Sequence, residues 1–207
     1  MLLAIPGADV RRRTALMENV LRFRHAMFVE EKGWNELQRP DRLERDPFDD
    51  GHAVYHVCLR DDEVVSYQRL LPTTRPHLLT DVPGDLCRTR PPRGPPILEW
   101  TRFCVAPGWR DFHLHPDGPF LELAQGVVEW GLACAIDTVT VAIDWRLMVV
   151  ATQLRFFARP LGFQKGIGRD EGVALRMSFN RETRETIHEA RGRSAPVLAE
   201  SALDAAA

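Results

Sequence analysis

The 207-residue sequence has no apolar run long enough to cross a bilayer, so no membrane-spanning helix and no membrane partner are expected. Its first five residues, Met1 to Ile5, are apolar, but Arg11-Arg12-Arg13 follow them, the reverse of the order in a secretory signal. A cytoplasmic protein is expected. There is no excess of positive charge; a net charge of −2 gives little reason to expect a nucleic-acid partner. Cysteine is scarce. Cys58, Cys87, Cys104 and Cys134 have no close spacing and read as reduced core thiols, not as partners in a disulfide or a redox role. No internal repeat or low-complexity break divides the chain, so a single domain is expected over residues 1–190. Residues 191–207 are rich in small side chains and are expected to be a flexible tail.

What is present is an ordinary globular composition, 44% hydrophobic and 27% charged, with strong local patterning. Leu16, Val20, Phe23, Met27 and Phe28 recur at helical spacing and predict one or two helices over 12–33, ended by Gly33. The stretch from Trp34 to Gly51, with six acidic residues and two prolines, predicts a long surface loop. Val54 to Leu59 and Val64 to Leu71 read as a hairpin across Arg60-Asp61-Asp62-Glu63. Residues 72–96 carry seven prolines and should be irregular. A central strand is expected over Ile97–Val105, a helix over Phe120–Ala135, a strand over Thr138–Ile143, a helix over Leu147–Arg159 and a last strand over Val173–Phe179. That order describes an α/β fold, a mixed central sheet flanked by helices.

Within the central strand, Glu99-Trp100-Thr101-Arg102-Phe103-Cys104-Val105 sets an acid and a base three residues apart in an apolar run. Alternation on an undistorted strand sends Glu99, Thr101 and Phe103 to one face and Trp100, Arg102 and Cys104 to the other. Each charge then needs a partner of its own. Arg24, Arg69, Asp46 and Asp49 have the right signs, which predicts a polar site in an apolar scaffold.

Four blocks carry a resemblance. Arg24-His25-Ala26-Met27-Phe28-Val29-Glu30 with Gly33-Trp34, then Asp46-Pro47-Phe48-Asp49, Arg69-Leu70-Leu71-Pro72-Thr73-Thr74 and Glu99-Trp100-Thr101-Arg102-Phe103, follow in order over roughly residues 1–180. The chain resembles the acyl-homoserine lactone synthases, the LuxI-type autoinducer synthases of bacterial quorum sensing. It departs from them at Val65-Ser66-Tyr67-Gln68, where a glycine is common, and at Pro83-Gly84, where a phenylalanine is; Thr101 stands where a serine is usual. The element order likewise resembles the acyl-CoA N-acyltransferase (GNAT-like) fold.

The resemblance implies a two-step acyltransferase reaction. The amine of S-adenosylmethionine attacks an acyl thioester, and the product closes to a lactone by displacing methylthioadenosine. S-adenosylmethionine is then a substrate, and no cofactor or metal is implied. Glu99, Arg102, Arg69 and Arg24 are the expected catalytic residues, with Glu99 positioning or deprotonating the amine, directly or through water. Phe28, Trp34, Asp46, Asp49, Arg69 and Phe103 are expected to bind S-adenosylmethionine: the aspartates for its ammonium and sulfonium, a guanidinium for its carboxylate, the aromatics as cover for the cation. Thr101, Thr140, Ile143, Trp145 and Met148 are expected at the acyl pocket, with Trp145 keeping it short. The donor is expected to be acyl-CoA with a short branched or aryl group; Arg155, Arg159, Lys165 and Arg169 would suit coenzyme A phosphates or an acyl carrier protein.

Taken singly, the blocks have plainer readings: Arg24 with Phe28 as helix spacing, the aspartates as a solvated loop, Trp34 as a core anchor, Glu99 and Arg102 as structural charges. Their ordered occurrence favours a substrate site. A generic N-acyltransferase would carry a glycine-rich turn after the central strand, which Pro107-Gly108-Trp109-Arg110-Asp111 lacks. A small-ligand binding module would need a pocket but no catalytic charges. Asp111-Phe112-His113-Leu114-His115-Pro116-Asp117 reads as an exposed turn, not a metal site, and Cys104 as a core thiol.

Overall fold

The computed structural model describes residues 1–81, 86–112, 114–167 and 169–199. Within them a mixed sheet of eight strands lies between two helical layers. The strands are β1 (Leu2–Pro6), β2 (Val54–Arg60), β3 (Glu63–Pro72), β4 (Ile97–Val105), β5 (Thr138–Asp144), β6 (Phe157–Pro160), β7 (Lys165–Ile167) and β8 (Asp170–Ser178). Their spatial order is β1-β2-β3-β4-β5-β8-β6, with β7 also paired to β8. β4 and β5 pair in parallel; the other described pairs are antiparallel.

The long N-terminal helical stretch is three segments: a 3-10 helix (Gly7–Arg13), α1 (Thr14–Arg24) and a π-helical turn (His25–Glu31). Met17, Val20, Met27 and Phe28 from it close a core against Tyr55, Val57, Tyr67, Leu71 and Cys104. Gly33, at φ +71°, reverses the chain so that Trp34 N–H donates to Phe28 O at 2.9 Å. The opposite face of the sheet packs on α3 (Pro119–Ala133), α4 (Leu147–Gln153) and α5 (Arg181–Arg191). The hairpin is as expected, with Asp61 and Asp62 both left-handed, at φ 49° and 64°, as a two-residue turn of twisted strands requires.

Three expectations change. The helix expected over Leu147–Arg159 stops at Gln153; Arg155 turns left-handed at φ 62°, and Phe157–Pro160 becomes a strand on β8. Leu154 and Phe156 are buried, and apolar residues two apart follow the strand period, not the helical one. The segment from Arg191 does not fray as far as it is described: Val197 and Leu198 N–H donate to Glu129, and Leu198 is buried. Residues 200–207 lie outside the described residues, as does Pro83-Gly84. The proline-rich 72–96 stretch contains α2 (Leu78–Asp81), a single helical turn.

The central strand departs most from simple alternation. In the β3–β4 register Tyr67 faces Cys104 but Arg69 faces Thr101, so two steps on β3 match three on β4. β4 is bulged, and Arg102 sits left-handed at φ 55°. The extra residue brings Arg102 to the same face as Glu99 and Thr101 and sends Phe103 to the other, beside Trp100. The β4–β5 pairing meanwhile ends at Trp100 with Val141, and beyond it both strands continue without that pairing.

Candidate active site

Three guanidiniums and three carboxylates meet on the bulge face. Arg24, wholly buried, clasps Asp49 through Nη1 at 2.7 Å and Nη2 at 3.0 Å, and its Nε donates to Glu44. Arg69, also wholly buried, clasps Asp46 through Nη1 at 2.7 Å and Nη2 at 2.8 Å, reaches Asp49 at 2.7 Å and donates from Nε to Thr101 Oγ1 at 3.1 Å. Arg102 Nη2 donates to Glu44 Oε1 at 3.0 Å and to Asp46 Oδ2 at 2.9 Å. The charges of these six groups sum to zero. Burial pushes the three carboxyl pKa values up, but the guanidiniums outweigh it and hold Glu44, Asp46 and Asp49 below the usual carboxylate range, Asp49 the furthest.

The sequence places these groups by turning a loop inward. The stretch from Trp34 does run as a loop, but its acids are not all solvated: Glu44 is wholly buried, and Asp46 and Asp49 are largely so. Asp46 and Asp49 brace one another's turn, Asp46 N–H donating to Asp49 Oδ2 at 2.8 Å. Phe28 and Trp34 stack with centroids 5.1 Å apart, and the Arg102 guanidinium lies over both rings at 5.4 and 5.6 Å. Glu99, 1% exposed, takes no part in this network. Its oxygens accept from Leu78 N–H at 2.7 Å and Leu79 N–H at 2.8 Å, with His77 Nδ1 at 3.3 Å. Glu99 and Arg102 therefore share a face but not a bond.

Across the sheet from these charges lies a cavity of about 40 Å³ lined by Trp100, Phe103, Phe120, Ala124, Val141 and Ile143, and by side chains of α4, β8 and the turn before β6. Trp100 Nε1–H donates to Gln68 Oε1 at 2.9 Å, and Gln68 Nε2 meets His56 Nδ1 at 2.8 Å and Leu123 O at 2.9 Å. Phe103 packs edge-on against Trp100 and Phe120 in this wall, not among the acids and arginines where an S-adenosylmethionine contact was expected. Of the expected acyl residues only Ile143 lines the cavity. Trp145 is 43% exposed at the β5–α4 turn, Met148 packs elsewhere on the core, and Thr101 and Thr140 occupy the charged face. From α4 the wall takes Leu147 and Ala151, not Met148.

The sequence profile of the autoinducer synthase family matches residues 8–187. The chain belongs to this family. The isovaleryl-homoserine lactone synthase of Bradyrhizobium diazoefficiens is 31% identical over 190 residues, 91% of this chain and 84% of the relative. Among solved structures, the CoA-dependent acyl-homoserine lactone synthase BjaI with SAM and isopentyl-CoA superposes with a TM-score of 0.85 at 29% identity, over 100% of this chain and 98% of that one. The CoA-dependent synthase MesI superposes at 0.84 with 26% identity, over 97% of this chain and 100% of that one. A Pseudomonas aeruginosa acyl-CoA N-acyltransferase, 16% identical at a TM-score of 0.56, shares the fold alone.

In this synthase, the arginine and aspartate residues proposed from sequence converge, with Phe28 and Trp34 beside them. Glu44 and His77 were missed. Glu44 sits two residues before Asp46 in a charge-rich loop, and nothing in its spacing marks it as buried. Of the basic residues expected to suit a donor, Arg155 approaches Glu182, Arg169 donates to Glu31 O, and Arg159 sits opposite Arg176 on β6–β8. Burial pushes the Cys104 thiol up to about 12, so it is not a thiolate near neutrality. Among the described residues no cysteine takes part in a disulfide. Among the described residues no group of three metal-binding side chains forms, and no helix is long and apolar enough to cross a membrane; His113 lies outside those residues.

Proposed function

We propose that this synthase transfers a short acyl group from coenzyme A to the amine of S-adenosylmethionine and closes the product to an N-acyl-homoserine lactone, releasing methylthioadenosine. The observation that carries the reading is the bulge at Arg102, which gives one strand a buried charged face and an apolar cavity behind it. A zwitterionic sulfonium and a hydrocarbon tail need such opposite surroundings. They would meet where β4 and β5 stop pairing, beyond Trp100 and Val141.

On the charged face, Phe28 and Trp34 already hold one cation, the Arg102 guanidinium, over their π-surfaces, and a sulfonium gains from the same faces. Asp46 and Asp49 are saturated by Arg24 and Arg69, so their part is to fix the guanidiniums that meet the substrate carboxylate, not to bind its ammonium directly. Glu99 is the acid of this face that no arginine contacts among the described residues, and it is assigned to the amine. An α-amino group, with a pKa near ~8, must lose a proton before it attacks a thioester. The lactone forms when the substrate carboxylate displaces the sulfonium sulfur, which leaves as a neutral thioether.

Size argues for a short donor. With about 10–15 Å³ needed per water-sized group, a cavity of about 40 Å³ holds about three or four carbon-sized groups, the bulk of an isovaleryl tail. Purified protein with S-adenosylmethionine and isovaleryl-CoA should release lactone and methylthioadenosine in equal amounts. Faster turnover of the same acyl group on carrier protein would overturn the donor assignment.

A further inference from the structure

Glu99 is a buried acid whose one ion contact among the described residues is His77, and that side chain is itself incompletely satisfied. His77 is wholly buried, and neither ring nitrogen has a hydrogen-bond partner among the described residues, although Nδ1 lies 3.3 Å from Glu99 Oε2. Buried imidazoles ordinarily find partners. The local chain holds both groups in place: His77 immediately precedes α2, whose first two amides bind Glu99, and its own N–H donates to Asp81 at 2.9 Å. Three other groups border the pair. Asp81 faces it from α2, Arg93 lies beyond Asp81, and Cys87, its thiol raised by burial and by Glu99, lies on the loop after α2.

We propose that His77 and Glu99 form a carboxylate–imidazole dyad that accepts the proton given up by the substrate ammonium, with Nδ1–H directed at Glu99 and Nε2 as the accepting atom. The assignment rests on the reading of Glu99 given above. In the acylation the amine nitrogen forms a bond to the carbonyl carbon and the carbon–sulfur bond breaks. Of the three ammonium protons one stays on the amide, one goes to the departing thiolate and one is left over. Placed on Glu99 alone, the leftover proton would make a neutral acid. Placed on the dyad it makes an imidazolium against a carboxylate that keeps both backbone donors, and the pair passes from one negative charge to none. The negative state favours the ammonium, and the neutral one stores its proton without an unpaired buried charge.

His77→Gln should lower kcat roughly tenfold or more at neutral pH and leave KM for S-adenosylmethionine within about twofold. The double variant with Glu99→Gln should be no slower than the slower single variant, because the two act as one unit. The resonances of one histidine ring followed by NMR should move between wild-type protein and Glu99→Gln, because Nδ1 lies 3.3 Å from the carboxylate. A normal rate in Glu99→Gln would refute the reading of Glu99 itself. An impaired Glu99→Gln beside a His77→Gln that only melts earlier, or a double variant whose losses multiply, would refute the dyad alone. Where His77→Gln does not fold, histidine resonances unmoved by Glu99→Gln refute it equally.

Discussion

Replacing Glu44 by glutamine tests whether the six-charge network is a balanced unit. Glu44 is wholly buried and accepts from Arg24 Nε and from Arg102 Nη2 at 3.0 Å, with Arg102 Nε at 3.3 Å. The amide removes one negative charge, leaves three guanidiniums against two carboxylates, and turns an N–H₂ group toward a donor. Removing one member of a buried ion network costs about 3–5 kcal/mol. For a chain of this size that lowers the melting temperature by roughly 6–20 °C. The same change at Glu18, an exposed partner of Arg22, should leave the melt in place. Adding Arg102→Met to Glu44→Gln restores neutrality, so the double variant should melt above Glu44→Gln while remaining inactive. Urea and thermal unfolding followed by circular dichroism give both numbers. A loss below about 1 kcal/mol for Glu44→Gln, the range of exposed pairs, would refute the idea that these charges depend on one another.

The same carboxylates predict an acid-labile fold. Glu44, Asp46 and Asp49 have folded pKa values below their unfolded ones, so their stabilisation is complete above the unfolded carboxylate range and is lost as pH falls through the folded values. Melting temperatures should fall steadily below about pH 4, and a flat profile there would contradict it. Phe156→Ala should open the cavity and shift the donor optimum to longer chains, whereas Trp145→Ala, outside the wall, should leave it unchanged; a shift with Trp145→Ala alone would reverse that assignment. Gln68→Leu strips partners from Trp100 Nε1 and Leu123 O, at about 1–3 kcal/mol each, and should broaden acyl selectivity by freeing the Trp100 ring; unchanged selectivity would show that packing alone holds the indole.

Much of this arrangement was legible before any coordinates. The hairpin, the central strand, α3 and β5 follow from period and turn chemistry, and Arg24, Arg69, Asp46 and Asp49 stand out because they lie in the four ordered blocks that resemble the synthases and have the right signs to partner Glu99 and Arg102. The bulge was not legible. Arg102 carries no glycine or proline signal, so strict alternation separates it from Glu99 and sends Phe103 to the wrong face. α5 was missed because Ile187 is its only buried large apolar residue, although Asn180 and Thr183 form a capping box and Gly192 closes it. Glu44 and His77 became visible only when the loop before β2 and the turn before α2 folded onto β4.

In the proposed reaction one bulged strand joins a charged site for S-adenosylmethionine to a small apolar site for a coenzyme A-borne acyl group. Mass spectrometry of a reaction offered equal amounts of isovaleryl-, hexanoyl- and dodecanoyl-CoA with S-adenosylmethionine tests it directly. Isovaleryl-homoserine lactone should be the main product, with one methylthioadenosine per lactone. A dodecanoyl product in excess, or methylthioadenosine without any lactone, would contradict it.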